Sequence, residues 1–131
     1  MKTKTTKRTL AIIMSAAVVL SGLAVGASAK SLADCFTSGS NKSSEYVDYG
    51  LGQGENYYYK TAWGKTENYG SSHYIRAYVT KDFLGDSGRV WSKSPHNSHY
   101  VESDKVFTGT GIMGSLGIGY TAYAKYGTTN S

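Results

Sequence analysis

From Glu45 onward the chain alternates apolar and polar residues in short runs divided by Gly, Asn, Asp and Ser. A period of two marks strands, because successive side chains point to opposite faces of a sheet. Asn56–Trp63 places Tyr57, Tyr59, Thr61 and Trp63 on one face and Asn56, Tyr58, Lys60 and Ala62 on the other. His73–Thr80 is the strongest run: Ile75, Ala77 and Val79 form an aliphatic face, opposite Tyr74, Arg76, Tyr78 and Thr80. Glu45–Tyr49, Gly88–Lys93, Tyr100–Phe107 and Ile118–Tyr126 complete the set, the last with Ile118, Tyr120, Ala122, Ala124 and Tyr126 on one face. Phe83–Gly88 carries turn chemistry that fits a hairpin between strands ending near Thr80 and starting near Arg89, and Ser94–Asn97 is a second turn. No run after residue 29 sustains a helical period, and Tyr, Thr, Val and Trp favour pleated surfaces. The expectation is an all-β domain over residues 45–131, a small antiparallel β-sandwich or barrel of about five to seven short strands.

The N-terminal pattern is different. Lys2, Lys4, Lys7 and Arg8 precede an apolar run from Leu10 to Val25, and Ala27-Ser28-Ala29 comes next. A basic segment, an apolar segment and an A-x-A site in that order describe a cleavable secretory signal over residues 1–29. The strongly apolar part is shorter than the roughly 20 residues a membrane-spanning helix needs. Residues 30–44, rich in Ser, Gly and Asn, have no period and read as a flexible arm. Leu32-Ala33-Asp34-Cys35 has the outline of a lipidation site, but Asp34 stands where a small residue is required.

Removing the signal changes the charge. The whole chain is +5, whereas Lys30–Ser131 holds ten basic and nine acidic residues, a net of +1. The basic residues there are scattered singly, so the clustered footprint of a nucleic-acid binder is absent. Cys35 is the only cysteine, so no disulfide can form within the chain and the core must supply stability alone. All 12 Tyr, both Trp and all three Phe lie after the signal, so large amphipathic rings must do much of the burying.

Candidate chemistry is sparse. Gly109-Thr110-Gly111-Ile112-Met113-Gly114 spells a dinucleotide-binding pattern. No acidic residue comes after it, and Gly117 and Gly119 argue against a helix starting there. It reads instead as a glycine-rich linker whose Ile112, Met113, Leu116 and Ile118 form an apolar flap for a partner or a membrane. His73, His96 and His99 make a zinc site only if the turn folds back on the strand; otherwise they are surface histidines. Glu55, Glu67, Glu102 and Asp104 offer carboxylates for glycoside chemistry, but nothing selects a pair. No cofactor, metal site or catalytic set is expected. The aromatic faces say more. Tyr57, Tyr59, Trp63, Tyr74, Tyr78 and Trp91 are candidate target-binding residues, because Tyr and Trp give flat, amphipathic contact area at low entropic cost.

At Trp63-Gly64, Asn68-Tyr69, Ser71-Ser72-His73, Ala77-Tyr78-Val79 and Ser87-Gly88-Arg89-Val90-Trp91 the order of residues resembles the lactococcin 972 bacteriocin family, small secreted proteins of Gram-positive bacteria. The resemblance spans Trp63 to Lys93. It implies a β-sandwich, with a homodimer among its options, that acts on the cell-wall precursor lipid II and blocks septum formation. The chain departs from the family in its longer N-terminal arm and its Gly-rich C-terminal part. The leading expectation is a secreted, non-enzymatic, bacteriocin-like protein that binds a cell-envelope component, a cell-wall precursor or glycan, of target bacteria. The alternatives are a carbohydrate- or cell-wall-binding module of the producer and a small secreted enzyme.

Overall fold

Two antiparallel sheets pack face to face in the computed structural model, which describes residues 30–129. The signal peptide expected over residues 1–29 lies outside the described residues, and the folded unit begins at Ser31. In order, its elements are α1 (Leu32–Cys35), β1 (Phe36–Gly50), β2 (Gln53–Glu67), β3 (Tyr74–Val79), β4 (Val90–Trp91), β5 (Ser98–Glu102), β6 (Val106–Thr110), α2 (Gly111–Leu116) and β7 (Ala122–Gly127). The expected all-β sandwich is therefore present, with seven strands among the described residues.

The first sheet is built on a long hairpin. β1 pairs with β2 from Phe36↔Thr66 to Gly50↔Gln53. The other edge of β2 is shared: β5 covers Trp63–Glu67 and β6 covers Tyr57–Lys60. The run expected as one strand over Tyr100–Phe107 is thus broken at Ser103–Lys105, where the chain crosses Ala62. The second sheet has the order β4-β3-β7. Tyr74 pairs with Trp91 and Ile75 with Val90, so the Phe83–Gly88 segment does connect antiparallel strands.

The arm expected over residues 30–44 is instead α1 followed by most of β1. Ser31 caps α1 by accepting from the Asp34 N–H, and Leu32 and Cys35 are buried. Small polar residues hide this strand in the sequence, because a burial pattern of mostly exposed positions leaves no apolar alternation to detect. Backbone pairing with β2 orders it.

The core is small-grained. Ala62, Ile75, Ala77, Val79, Val101 and Val106 form its cluster, with Phe36, Tyr120 and Ala122 packed against it. Among the largest fully buried side chains, two are aliphatic (Ile75, Val79) and two polar (His73, Thr66). Gly64 sets how closely the sheets approach: a Cβ there would lie 2.8 Å from Ile75 Cγ2 and 3.0 Å from the Ala124 Cβ. The scarcity of Leu is met by close approach rather than by bulk, since interiors gain stability from dense packing.

Three serines terminate ladders in the same way. Ser87, Ser92 and Ser103 each donate their N–H to the carbonyl of Ala77, His73 and Ala62, respectively. Each hydroxyl also accepts the N–H of that same partner, at 2.9, 3.1 and 2.9 Å. The hydroxyl stands in for the carbonyl that a continuing strand would supply, so the chain can turn away with the buried donor satisfied.

Candidate functional site

The six aromatic candidates do not form one surface. Tyr57, Tyr59 and Trp63 lie on the outer face of the first sheet, whereas Tyr74, Tyr78 and Trp91 belong to the second sheet. Side-chain alternation fixes this division. Ala62, Gly64 and Thr66 of β2 and Ile75, Ala77 and Val79 of β3 are buried between the sheets, so the residues between them point outward.

At Tyr78 the outer face of the second sheet is covered by its own chain, while Tyr74 and Trp91 are half-buried. The loop after β3 folds over Tyr78. Tyr78 stacks on Tyr123 at 5.4 Å and packs on Phe83 at 4.3 Å between ring centroids, and it is only 4% exposed. Arg76 lies over the Phe83 ring at 4.5 Å and holds Asp86 through two bonds, Nε to Oδ1 at 2.9 Å and Nη2 to Oδ2 at 2.5 Å. The Arg76 guanidinium holds the Asp86 carboxyl below its ordinary range. Tyr74 meets Trp91 edge to face at 5.3 Å and carries Arg89 over its ring at 4.7 Å. Tyr78 is therefore a packing residue, and its place among the target-binding candidates is corrected on that ground.

The outer face of the first sheet is open. Tyr49 and Tyr57 share a hydroxyl–hydroxyl bond of 2.5 Å, which pushes the Tyr49 phenol up to about 12. Tyr57 and Tyr59 flank Phe107 at 5.6 and 6.0 Å, and Lys105 lies over the Tyr59 ring at 5.7 Å. At the other end Trp63 and Tyr100 stack with centroids 5.9 Å apart and planes 26° from parallel. Tyr100 is 50% exposed and Phe107 47%.

Between these two aromatic groups sits a fixed carboxylate. Glu102 Oε2 accepts from Thr61 Oγ1 at 2.5 Å and from Asn41 Nδ2 at 2.6 Å. The Thr61 bond first, then that of Asn41, holds the Glu102 carboxyl below its usual range. The register explains the assembly: Asn41 pairs with Thr61, Gly39 with Trp63, and Trp63 with Glu102. Gly39 gives the indole its seat, since a Cβ there would lie 2.8 Å from Trp63 Cζ2. Asn41 and Gly39 are out of reach of sequence reasoning because they fall in the segment that reads as an arm. Tyr100 and Glu102 carry a usable signal, two residues apart on one expected strand.

The histidines behave differently from surface groups. His73 is fully buried; its Nδ1–H donates to the Ser71 carbonyl at 2.8 Å, and Thr66 Oγ1 lies 2.8 Å from its Nε2. His99 Nδ1 lies 3.3 Å from the same Nε2. Burial first, then the charges of His73 and His96, lower the His99 pKa. His96 is held apart, against the Ser92 hydroxyl at 2.8 Å. Among the described residues no group of three or more His, Cys, Asp or Glu is arranged to hold a metal ion.

The glycine motif is also placed. Gly109 and Thr110 end β6, and α2 starts at Gly111, so a helix does form where none was expected. It is a single six-residue element that packs on β2 and β6, and the next strand, β7, joins the other sheet. The βαβ setting of a dinucleotide site is missing from this segment. Among the described residues no helix is long and apolar enough to cross a membrane. No family model, curated protein or solved structure matches the chain.

Proposed function

We propose that the protein is a secreted, non-enzymatic, bacteriocin-like binder that docks a cell-envelope glycan of target bacteria on the outer face of its first sheet. The observation that carries this reading is the Glu102 carboxylate, fixed by Thr61 and Asn41 between the Trp63–Tyr100 stack and the Tyr57–Phe107–Tyr59 group. Sugars present apolar C–H faces and a rim of hydroxyls. Aromatic planes meet the first, and a carboxylate meets the second as an acceptor of charge-assisted hydrogen bonds. A carboxyl held ionised has no proton to donate, which favours binding over acid catalysis. The signal-like residues 1–29 support the exported state, and the resemblance over Trp63–Lys93 supports the antibacterial role.

The test is co-sedimentation of Lys30–Ser131 with purified peptidoglycan from producer and non-producer bacteria, scored beside growth inhibition. The expected result is retention by non-producer wall with inhibition, and a drop of about tenfold or more in retention for Trp63→Ala with Tyr100→Ala. Retention without inhibition would select the alternative of a wall-binding module. Retention unchanged by the double substitution would overturn the assignment of this face.

A further inference from the structure

The segment after β6 carries an exposed apolar surface that the glycan reading does not use. Ile112 is 77% exposed, Met113 65%, Leu116 53% and Ile118 67%. Ile112, Met113 and Leu116 stand at i, i+1 and i+4 of α2 and so share one side of the helix. The opposite side is pinned. Gly114 is buried flat on Gly109, where a Cβ would come within 2.2 Å of the Gly109 carbonyl carbon. Thr108 Oγ1 donates to the Gly114 carbonyl at 2.7 Å. The apolar side chains are therefore held outward by construction.

Two ammonium groups reach this surface. Residues 106–124 contain no charged side chain. Lys42 and Lys60 reach the flap from the β1–β2 hairpin, with Nζ 3.2 Å from the Ser115 carbonyl and 2.6 Å from that of Tyr120. An apolar surface with the Lys42 and Lys60 ammonium groups at its margin fits an anionic lipid surface: the side chains enter the interface while Lys42 meets the headgroups. A second copy of this chain fits poorly, because a symmetric contact would bring two sets of these lysines together.

We propose that α2 and the turn through Ile118 form a membrane-docking flap, inserting Ile112, Met113, Leu116 and Ile118 into the interface of a bilayer rich in anionic lipid. This does not depend on glycan binding, since the flap and the Trp63–Tyr100 face are separate surfaces. The test is co-sedimentation of Lys30–Ser131 with phosphatidylglycerol–phosphatidylcholine vesicles and with pure phosphatidylcholine vesicles. The expected result is preferential binding to the anionic vesicles, weakened about tenfold or more by Ile112→Ser with Leu116→Ser. Lys42→Gln is expected to weaken it severalfold and to make it less sensitive to salt. All three positions are exposed, so circular dichroism is expected to show the wild-type fold. Met113→Trp adds a reporter whose emission brominated lipid is expected to quench beyond the wild-type signal. Absence of binding, or equal binding by the Ile112/Leu116 variant, would overturn the proposal. So would a concentration-dependent dimer that the same variant abolishes, which would assign the surface to a second copy.

Discussion

The two outer faces of the sandwich use the same residue types to opposite ends. Each has a Tyr-bearing central strand, with a Trp on that strand in the first sheet and on its neighbour β4 in the second, a cation over an aromatic ring and a glycine across from a large ring. Gly39 faces Trp63 on the first sheet, and Gly127 faces Tyr74 on the second. On the second sheet the loop after β3 returns to cover the Tyr78 ring with Phe83 and clamps itself down through Arg76 and Asp86. On the first sheet nothing in the described chain returns, and Trp63, Tyr100 and Phe107 stay accessible around Glu102. An aromatic strand face is therefore a binding candidate only once the connection that leaves it is known. Composition and alternation are the same in both cases.

The largest effect that separates the faces is on stability. Tyr78→Ala removes a buried ring wedged between Phe83 and Tyr123, and the loss is expected at about 3 kcal/mol. Trp63→Ala removes a half-buried ring that lies over Gly39 and stacks on Tyr100 alone, with an expected cost of about 1 kcal/mol. Urea unfolding monitored by circular dichroism measures both. Equal costs would mean that the first face is held as tightly as the second and that its openness is superficial.

A smaller effect tests the two glycines. Gly39→Ala must displace the indole, because the added Cβ would sit 2.8 Å from Trp63 Cζ2. Gly127→Ala meets Tyr74 Cε1 at 2.7 Å on the covered face. Each is expected to cost about 1 kcal/mol or less. Only Gly39→Ala is expected to weaken peptidoglycan retention, by a fewfold, because only there does the displaced ring belong to the proposed site. A matching loss in the Gly127 variant would show that retention reports general loosening of the sandwich.

Much of the strand layout is legible in the sequence, and what is not has physical causes. The alternation of Asn56–Trp63 and His73–Thr80 marks the faces of β2 and β3, because one side of each strand must be buried and the side-chain period is two. β1 escapes such reading because Gly39, Ser40, Asn41 and Ser43 have low strand preference and no buried side; only their ladder with β2 makes them a strand. α2 escapes it because glycines at 109, 111, 114, 117 and 119 argue locally against a helix, while the Gly109–Gly114 contact allows a short one to lie flat. The serine ladder ends carry no pattern at all, since a hydroxyl replacing a carbonyl depends on partners far along the chain. For the same reason Glu102 is one carboxylate among four until the fold brings Asn41 and Thr61 to it.

The smallest expected effect concerns the seam between the faces. Thr66 and His99 come from the first sheet, and His73 leads into β3 of the second, so the buried imidazole contacts tie the sheets together. The groups facing His99 are His73 and His96, and burial is the first cause of its lowered pKa. A histidine whose folded pKa is depressed is protonated first in the unfolded chain as pH falls. Its contribution to stability is complete above the unfolded value near 6.5 and is lost as pH drops through the folded one. Glu102 has the same sign at lower pH: held below the usual glutamate range, it stays ionised until the solution is well into acid. Stability is therefore expected to decline modestly below about pH 6.5 while retention on peptidoglycan persists to near pH 4.5. His99→Gln is expected to flatten the first decline and leave the second untouched. Retention that fell in step with stability across that interval would mean that the open face is set by how the sheets are joined rather than by the hairpin that carries it.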